Sequence, residues 1–212
     1  MRRFCLVLAI FSLISPLAFS ADSKVSLKSD PLTVTRVIDG NSLQLSDGSI
    51  VRLLGVDCPE FKDQEENKKN AESLRIDPEH YSGFAEKAKA FVNMLVAGQQ
   101  VRLEYDEANT ATDNKDGYGR VLAYVVIRQD PNAPYIYDQE KIPLDDLLGD
   151  GPGILVPWGR GADAEEKFGY LLNGMIIRSG HGVVYRRFDF KYKPQFLELE
   201  KEAREQKRGL WK

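Results

Sequence analysis

Cysteine and histidine are scarce in this chain of 212 residues, and positive charge is not in excess. The two histidines, His80 and His181, lie too far apart for the short ligand spacing of a histidine metal site. The 29 Lys and Arg residues face 32 Asp and Glu residues, which gives a net charge of −3. These shortages argue against a histidine-centred metal site and against a strongly basic nucleic-acid coat.

Long hydrophobic runs are also missing, except for one at the N-terminus. Arg2 and Arg3 precede the apolar residues 4–19, and small residues surround Ser20. This pattern predicts a secretory signal peptide over residues 1–20 and an exported linker over 21–31. A membrane anchor is the disfavoured alternative, because a bilayer-spanning helix needs about 20 apolar residues. We expect a periplasmic or secreted protein that has no membrane contact after cleavage.

Cleavage of the signal peptide would change both the charge and the cysteine content. Loss of Arg2 and Arg3 lowers the net charge from −3 to −5, and loss of Cys5 leaves Cys58 alone. One thiol cannot form an intramolecular disulfide, so the hydrophobic core must stabilise the mature chain. We expect one domain, residues 32–212, that is a monomer.

Short β-prone runs dominate the first half of this domain. Asp47-Gly48, between two of these runs, is a strong signal for a tight hairpin. The runs predict five strands, at about 32–38, 42–46, 49–56, 101–105 and 121–127. Because the first three leave little room for parallel crossovers, they predict a small antiparallel barrel.

Helical spacing of apolar residues predicts three helices. The first has Ser82 as its candidate N-cap and Gly98 after its end, the second ends at Gly180, and the third runs from Pro194 to Gly209. Residues 61–80 and 129–167 lack periodicity and are predicted to be loops. The second is treated as an insertion with nine acidic and three basic residues, and it could shield a site, bind a protein partner or cap the barrel.

Candidate chemistry is concentrated in three segments, 39–42, 52–60 and 116–120. Asn41, Asp57 and Glu60 offer hard oxygen ligands suited to Ca²⁺ or Mg²⁺. Two arginines, Arg52 and Arg120, suit a phosphodiester whose negative charge grows during reaction. Surface salt bridges use the same residue types, so composition alone leaves both interpretations open.

The order of the motifs IDGNS, RLLGVDCPE, YSGFAEKA, GYGR, RSGHG and a terminal GLW resembles the thermonuclease, or staphylococcal-nuclease-like, family. The resemblance runs from about Val34 to Trp211. It implies an α+β fold that is mainly β, a five-stranded OB-fold-like barrel with about three packed helices. It also implies Ca²⁺-dependent hydrolysis of DNA and RNA with little sequence specificity, with Mg²⁺ or Mn²⁺ as alternative cofactors. A nucleic-acid-binding module with an attenuated active site is the competing hypothesis, because the same fold also serves as a binding platform.

The resemblance implies roles for five residues in binding and cleaving the substrate. Arg52 would bind the scissile phosphate and stabilise its developing charge, and Arg120 would assist the leaving oxygen. Glu60 would act as the general base on the attacking water. Tyr118 would approach the phosphate end of the nucleotide, and Tyr185 would line the base pocket.

The resemblance also implies a metal site formed by Asn41, Asp57 and the backbone carbonyl of Cys58. Two positions depart from the family pattern. Asn41 stands where the family usually has Asp, which removes one negative charge and keeps the attenuated hypothesis open. Gly117 stands where the best-known members carry Lys, which removes a phosphate contact.

Two further features have alternative interpretations. Cys58 could be a small packing residue, a nucleophile or a thiolate metal ligand, and the first is favoured because one Cys among oxygen ligands is a poor zinc set. Residues 178–193 interleave basic and aromatic side chains, which can follow a single strand of nucleic acid or can belong to a solvated connection beside the core.

Overall fold

The computed structural model describes residues 30–128, 135–137, 140–142, 153–160 and 166–212. The predicted signal peptide, most of the predicted linker and much of the predicted insertion lie outside these ranges. Within the described ranges, no helix combines the length and the apolar composition that crossing a membrane requires.

Five strands close into a barrel, as predicted. The first three are β1 (Leu32–Asp39), β2 (Ser42–Leu45) and β3 (Ile50–Leu53). A two-residue strand, β4 (Val56–Asp57), precedes the last two barrel strands, β5 (Gln100–Glu104) and β6 (Val121–Ile127). Strand β1 pairs with β2 and β5, β2 with β3, and β5 with β6, and all four pairings are antiparallel.

The barrel is mixed, so the prediction of a fully antiparallel barrel is wrong at one pairing. Strands β3 and β6 close the barrel in parallel, with Val51 opposite Val121 and Leu53 opposite Ala123. The reason is topological, because a closed ring with an odd number of strands cannot alternate direction at every pairing.

Further strands lie outside the barrel. The hairpin β7 (Tyr135–Tyr137) and β8 (Glu140–Ile142) forms its own small sheet, and β9 (Leu155–Arg160) pairs with β10 (Glu166–Leu171). Strand β10 also pairs with β6 and so extends the barrel sheet. The prediction of a loop over 129–167 is therefore wrong at these strands. Strands β7 and β8 have three residues each, and Pro157, Gly159 and Gly169 interrupt the pattern of β9 and β10.

The described part of the chain contains five α-helices, two more than predicted. They are α1 (Gln64–Leu74), α2 (Pro78–Gly83), α3 (Ala85–Val96), α4 (Leu172–Arg178) and α5 (Lys193–Glu205). The loop predicted over 61–80 is wrong, because α1 and the first half of α2 occupy it. Ser82 is also not the N-cap of α3, since it lies within α2 and Phe84 precedes the first residue of α3. A short strand, β11 (Val183–Val184), follows α4 and pairs with β4.

Two hydrophobic clusters hold these elements together. The larger fills the barrel and the faces of α3, α4 and α5, and its fully buried members include Phe91, Tyr124 and Phe196. The smaller cluster lies beneath α1 and α2 and contains five buried side chains: Ala71, Tyr81, Phe84, Val183 and Leu210. This second cluster fixes α1 against β11, which pairs with the strand that carries Asp57.

Candidate active site

Arg52 lies on β3 and is held by the chain that follows it. Its guanidinium donates from Nη1 to the carbonyl of Val56 at 2.7 Å and from Nη2 to Asp57 Oδ1 at 3.4 Å. The side chain is largely buried, with 13% of its surface exposed. A guanidinium anchored in this way keeps further N–H donors for the oxygens of a bound anion.

Asp57 and Glu60 carry the two acidic groups predicted for the site. Burial raises the pKa of Asp57, and the guanidinium of Arg52 opposes that rise. Burial also raises the pKa of Glu60, and the carboxylate of Asp39 raises it further, while Arg52 and Arg120 lower it. Asp39, Arg52, Asp57 and Arg120 therefore all lie near enough to Glu60 to act on the pKa of its carboxyl.

Two asparagines of α1 hold these acidic residues, and sequence reasoning missed both. The Glu60 N–H donates to Asn67 Oδ1 at 2.8 Å, and Asn67 Nδ2 donates to the Glu60 carbonyl at 2.7 Å. One helical turn later, Asn70 Nδ2 donates to Asp57 Oδ2 at 3.0 Å. Asn67 is 1% exposed, so its amide is committed to the main chain of Glu60.

Arg120 is positioned by a tight turn over residues 116–120. Asp116 Oδ1 accepts from the backbone N–H groups of Tyr118 and Arg120, each at 2.9 Å, and Oδ2 accepts from Arg120 Nε at 2.7 Å. Burial works against the charge of Asp116, but these hydrogen bonds keep its pKa below the usual range. Gly119, at φ +79°, supplies the positive φ that the turn needs.

Tyr118 lies at the tip of this turn and is 89% exposed. The Arg120 guanidinium is 5.4 Å from the centre of its ring, close enough for a cation–π contact. The turn therefore presents an arginine and an aromatic ring together, beside the charged groups around Glu60.

The turn between β1 and β2 places Asn41 in the interior. Asn41 is 1% exposed, its N–H donates to Asp39 Oδ1 at 2.9 Å, and its Oδ1 accepts from Ser42 Oγ at 3.2 Å. Gly40 packs against Cys58 so closely that an added Cβ would lie 2.9 Å from the Cys58 Cβ. The turn that carries Asn41 is therefore in contact with Cys58 through Gly40.

Cys58 is a buried packing residue with 2% of its surface exposed. Its Sγ donates to the carbonyl of Gly40 at 3.3 Å, and burial raises the pKa of the thiol well above its usual value. A neutral, enclosed thiol is a poor nucleophile and a poor thiolate ligand. The structure therefore supports the packing interpretation.

The residues predicted to hold a metal offer oxygen donors, which is the ligand type that Ca²⁺ takes. Asn41 Oδ1 and the Asp57 carboxylate each accept hydrogen bonds but keep further lone pairs. The set includes one carboxylate, one amide and one backbone carbonyl. Within the described ranges, no group of three or more His, Cys, Asp or Glu side chains is arranged to hold a metal ion. The donor types fit a hard cation, and the metal site stays a prediction.

Tyr185 follows β11, and its N–H donates to the carbonyl of Gly55 at 3.0 Å. Its ring packs against Phe188 at 4.7 Å between centres and lies 5.9 Å from the Arg187 guanidinium. Tyr185 and Asp57 line the same cavity, of about 440 Å³. The structure therefore brings the predicted base-pocket residue to the side of the site formed by Asp57.

The rest of the basic and aromatic segment 178–193 divides between the two interpretations. Phe190 and Tyr192 are buried in the larger cluster, as the structural interpretation requires. Arg186, Arg187 and Phe188 are exposed near Tyr185, and the two arginines form ion pairs with Glu200 and Glu66.

Comparison with known proteins agrees with this geometry. A family model described as staphylococcal nuclease homologue matches residues 50–142 and 166–212. A thermonuclease of Staphylococcus hyicus is 37% identical over 95 residues, which cover 43% of this chain and 46% of that protein. An uncharacterized protein of Methanocaldococcus jannaschii is 25% identical over 185 residues, which cover 84% of this chain and 70% of that protein. The aligned region thus spans less than half of the thermonuclease.

Proposed function

Since the chain belongs to the staphylococcal nuclease homologue family, we propose that it is a metal-dependent nuclease that hydrolyses phosphodiester bonds of DNA and RNA. The observation that carries this proposal is the grouping of Arg52, Arg120, Asp57 and Glu60. Two fixed guanidinium groups beside carboxylates match a phosphate centre that gains negative charge during water attack. The aligned thermonuclease supports the same reaction class.

Each charged residue has a defined task in this proposal. Arg52, anchored to Val56 and Asp57, donates its remaining N–H groups to a nonbridging phosphate oxygen. Glu60 accepts the proton of the attacking water. The two hydrogen bonds of the Asn67 amide hold the main chain of Glu60 in place. Arg120, oriented by Asp116, donates to the leaving oxygen.

A divalent cation would be held by Asp57, the carbonyl of Cys58 and Asn41, with Ca²⁺ favoured and Mg²⁺ or Mn²⁺ as alternatives. Such a cation would supply positive charge that stabilises the transition state. Tyr118 and Tyr185 would contact the nucleotide on two sides of the phosphate.

Digestion of plasmid and single-stranded DNA, with Ca²⁺, Mg²⁺, Mn²⁺ or EDTA, tests this proposal. We expect cleavage with at least one cation, no cleavage with EDTA, and strong loss of cleavage in Glu60→Gln. Glu79→Gln is the matched control, because Glu79 is an exposed glutamate of the neighbouring α2. If no cation supports cleavage above the level of Glu60→Gln, the nuclease proposal fails.

A nucleic-acid-binding module with an attenuated site is the second candidate, and Asn41 favours it. A neutral amide replaces a charged ligand, and metal affinity depends on the number of charged ligands. Tight binding of DNA without cleavage in the digestion experiment would support this candidate.

Export is a separate proposal, supported by Arg2, Arg3 and the apolar residues 4–19. Mass spectrometry of the protein recovered from the periplasm or the medium should find Ala21 at the N-terminus. An intact N-terminal Met1 on exported protein would contradict cleavage after Ser20.

A further inference from the structure

Two cavities lie end to end between α1 and the C-terminal part of the chain. The first, of about 440 Å³, has Asp57 and Tyr185 in its lining, and the second, of about 580 Å³, has Trp211 in its lining. Leu74 and Arg204 line both cavities, so the cavities meet at these two side chains. Together they form the α1 groove, which starts at the proposed active site and leads away from it.

The α1 groove is basic, although the whole chain has a net charge of −3. Two acidic side chains, Asp57 and Asp77, line it. Six basic side chains also line it: Lys69, Arg75, Arg186, Arg187, Arg204 and Lys212. A basic groove on an acidic protein attracts a polyanion locally, because exposed charges beyond about 8 Å are screened at physiological salt.

The structure holds part of this positive charge in place. Glu200 is 3% exposed, and its carboxylate is shared by Arg186 and by Arg204, the latter at 3.7 Å. One carboxylate between two guanidinium groups leaves a surplus positive charge. The Arg204 guanidinium also lies 3.9 Å from the centre of the Trp211 ring. This cation–π contact keeps Arg204 at the junction of the two cavities.

Lys69 and Arg75 supply charge from α1 itself. Lys69 Nζ lies 3.9 Å from Glu65, and both side chains are mostly exposed, so this ion pair is weak. Arg75 is the C-cap of α1, at φ 59°, and its side chain is exposed in the second cavity. Both side chains are therefore available to bind an anion that enters the groove.

We propose that the α1 groove binds several nucleotides of a single-stranded polynucleotide beyond the bond that is cleaved. Phosphates of the strand contact Lys69, Arg204 and Arg75 in turn, and a base stacks at Tyr185 where the groove meets Asp57. Positive side chains along a groove with aromatic rings are the usual platform for a single strand. The proposal rests on the nuclease function, because the strand in the groove continues from the scissile phosphate. Cavities of about 440 and 580 Å³ are in the size range that holds a small ligand such as a nucleotide.

Binding is measured with the Glu60→Gln protein in EDTA, so that the strand stays intact. The probes are labelled oligothymidylates of about four and about sixteen nucleotides, and fluorescence anisotropy is recorded over a range of NaCl concentrations. The test variant adds Lys69→Ala and Arg75→Asn, since Asn tolerates the positive φ at this position. The control adds Lys68→Ala, because Lys68 is an exposed neighbour on α1 that lines neither cavity.

We expect the double substitution to weaken binding of the long oligomer about tenfold. The slope of log Kd against log salt should fall by about 1.4, because two phosphate contacts are lost at about 0.7 each. The short oligomer should lose less affinity, and the Lys68→Ala control should match its parent. Equal affinities and slopes for the test and control variants would overturn the proposal. An equal loss for a hairpin duplex of the long length would overturn the single-strand assignment.

Cleavage by the wild-type protein separates this proposal from the nuclease function. If the groove binds the long oligomer as expected but no substrate is cleaved, the nuclease function fails and the groove stands as a binding site. If the wild type cleaves and the double variant keeps full affinity, the groove assignment fails and the nuclease function stands.

Discussion

Asn67 offers the sharpest way to perturb the position of Glu60 without changing its charge. Asn67→Ala removes the hydrogen bond accepted from the Glu60 N–H and the one donated to the Glu60 carbonyl, at 2.8 and 2.7 Å. The charged groups that act on Glu60, such as Arg52 and Asp57, are left in place. The base should therefore lose its fixed geometry while its charged surroundings remain.

The expected loss of stability in Asn67→Ala follows from the burial of Asn67 and Glu60. A hydrogen bond contributes about 1 kcal/mol net, and a partner left buried and unpaired costs about 1–3 kcal/mol. Asn67 is 1% exposed, but Glu60 is half-buried, so water replaces part of what is lost. We expect the free energy of unfolding to fall by about 2–4 kcal/mol. We also expect kcat to fall about a hundredfold, because a catalytic group displaced by about 1 Å loses that much.

Urea denaturation gives the stability, and cleavage of a defined single-stranded substrate gives kcat and KM. KM should stay within about twofold, since uniform binding of the substrate is unchanged. Asn93→Ala, at an exposed position of α3, is the control. Wild-type kcat in a folded Asn67→Ala protein would refute the role of these two hydrogen bonds.

Three further predictions concern the buried side chains of His181, Asn41 and Cys58. Burial lowers the pKa of His181 to about 3, with Lys212 and Lys87 adding to the effect. The unfolded chain protonates near pH 6.5, so stability is lost as the pH falls from about 6.5 towards 3. The free energy of unfolding should be about 2 kcal/mol lower at pH 5 than at pH 7. Urea denaturation should show this difference in the control His80→Gln, which keeps His181, and should not show it in His181→Gln. Asn41→Asp should tighten Ca²⁺ binding about tenfold, and equal or weaker binding by calorimetry would contradict this. Cys58 should react slowly with a thiol reagent in folded Cys5→Ser protein and fully in urea, and rapid reaction when folded would contradict its burial.

The barrel strands could be predicted because their apolar residues alternate and their turns carry strong signals. Val34, Leu43, Leu45, Val51 and Leu53 are buried as their pattern requires. The parallel closure of β3 with β6 could not be read in this way, since it depends on strands far apart in the chain. The local sequence pattern therefore predicts where the strands lie, whereas the pairing of β3 with β6 depends on closure of the barrel.

Helix α1 was missed because one of its core-facing positions is polar. Its inward face holds Asn67, Ala71 and Leu74, a helical spacing in which one member is an amide. A search for hydrophobic periodicity does not detect a helix whose buried face includes a polar side chain. The signal that could have found the helix is Asp63, three residues before Glu66, since the Asp63 side chain accepts from the Glu66 N–H at 2.9 Å.

The charged residues of the site were predicted through the resemblance of the chain to a family. The residues that hold them in place were not predicted. Arg52, Asp57 and Glu60 stand in a recognisable motif. Asn67 and Asn70 act through hydrogen bonds from a neighbouring helix, and an isolated asparagine in a charged segment has no distinctive pattern. Such supporting contacts become visible when the fold brings the two segments together.

We propose Glu60 as the general base of a phosphodiester hydrolysis. Single-turnover cleavage of a labelled single strand, with saturating protein and the cation that supports activity, tests it most directly in wild type, Glu60→Gln and Glu79→Gln. We predict that Glu60→Gln slows the chemical step about 10²–10⁴-fold while strand affinity stays within a few-fold, and that Glu79→Gln matches wild type. Equal single-turnover rates in wild type and Glu60→Gln would contradict the account.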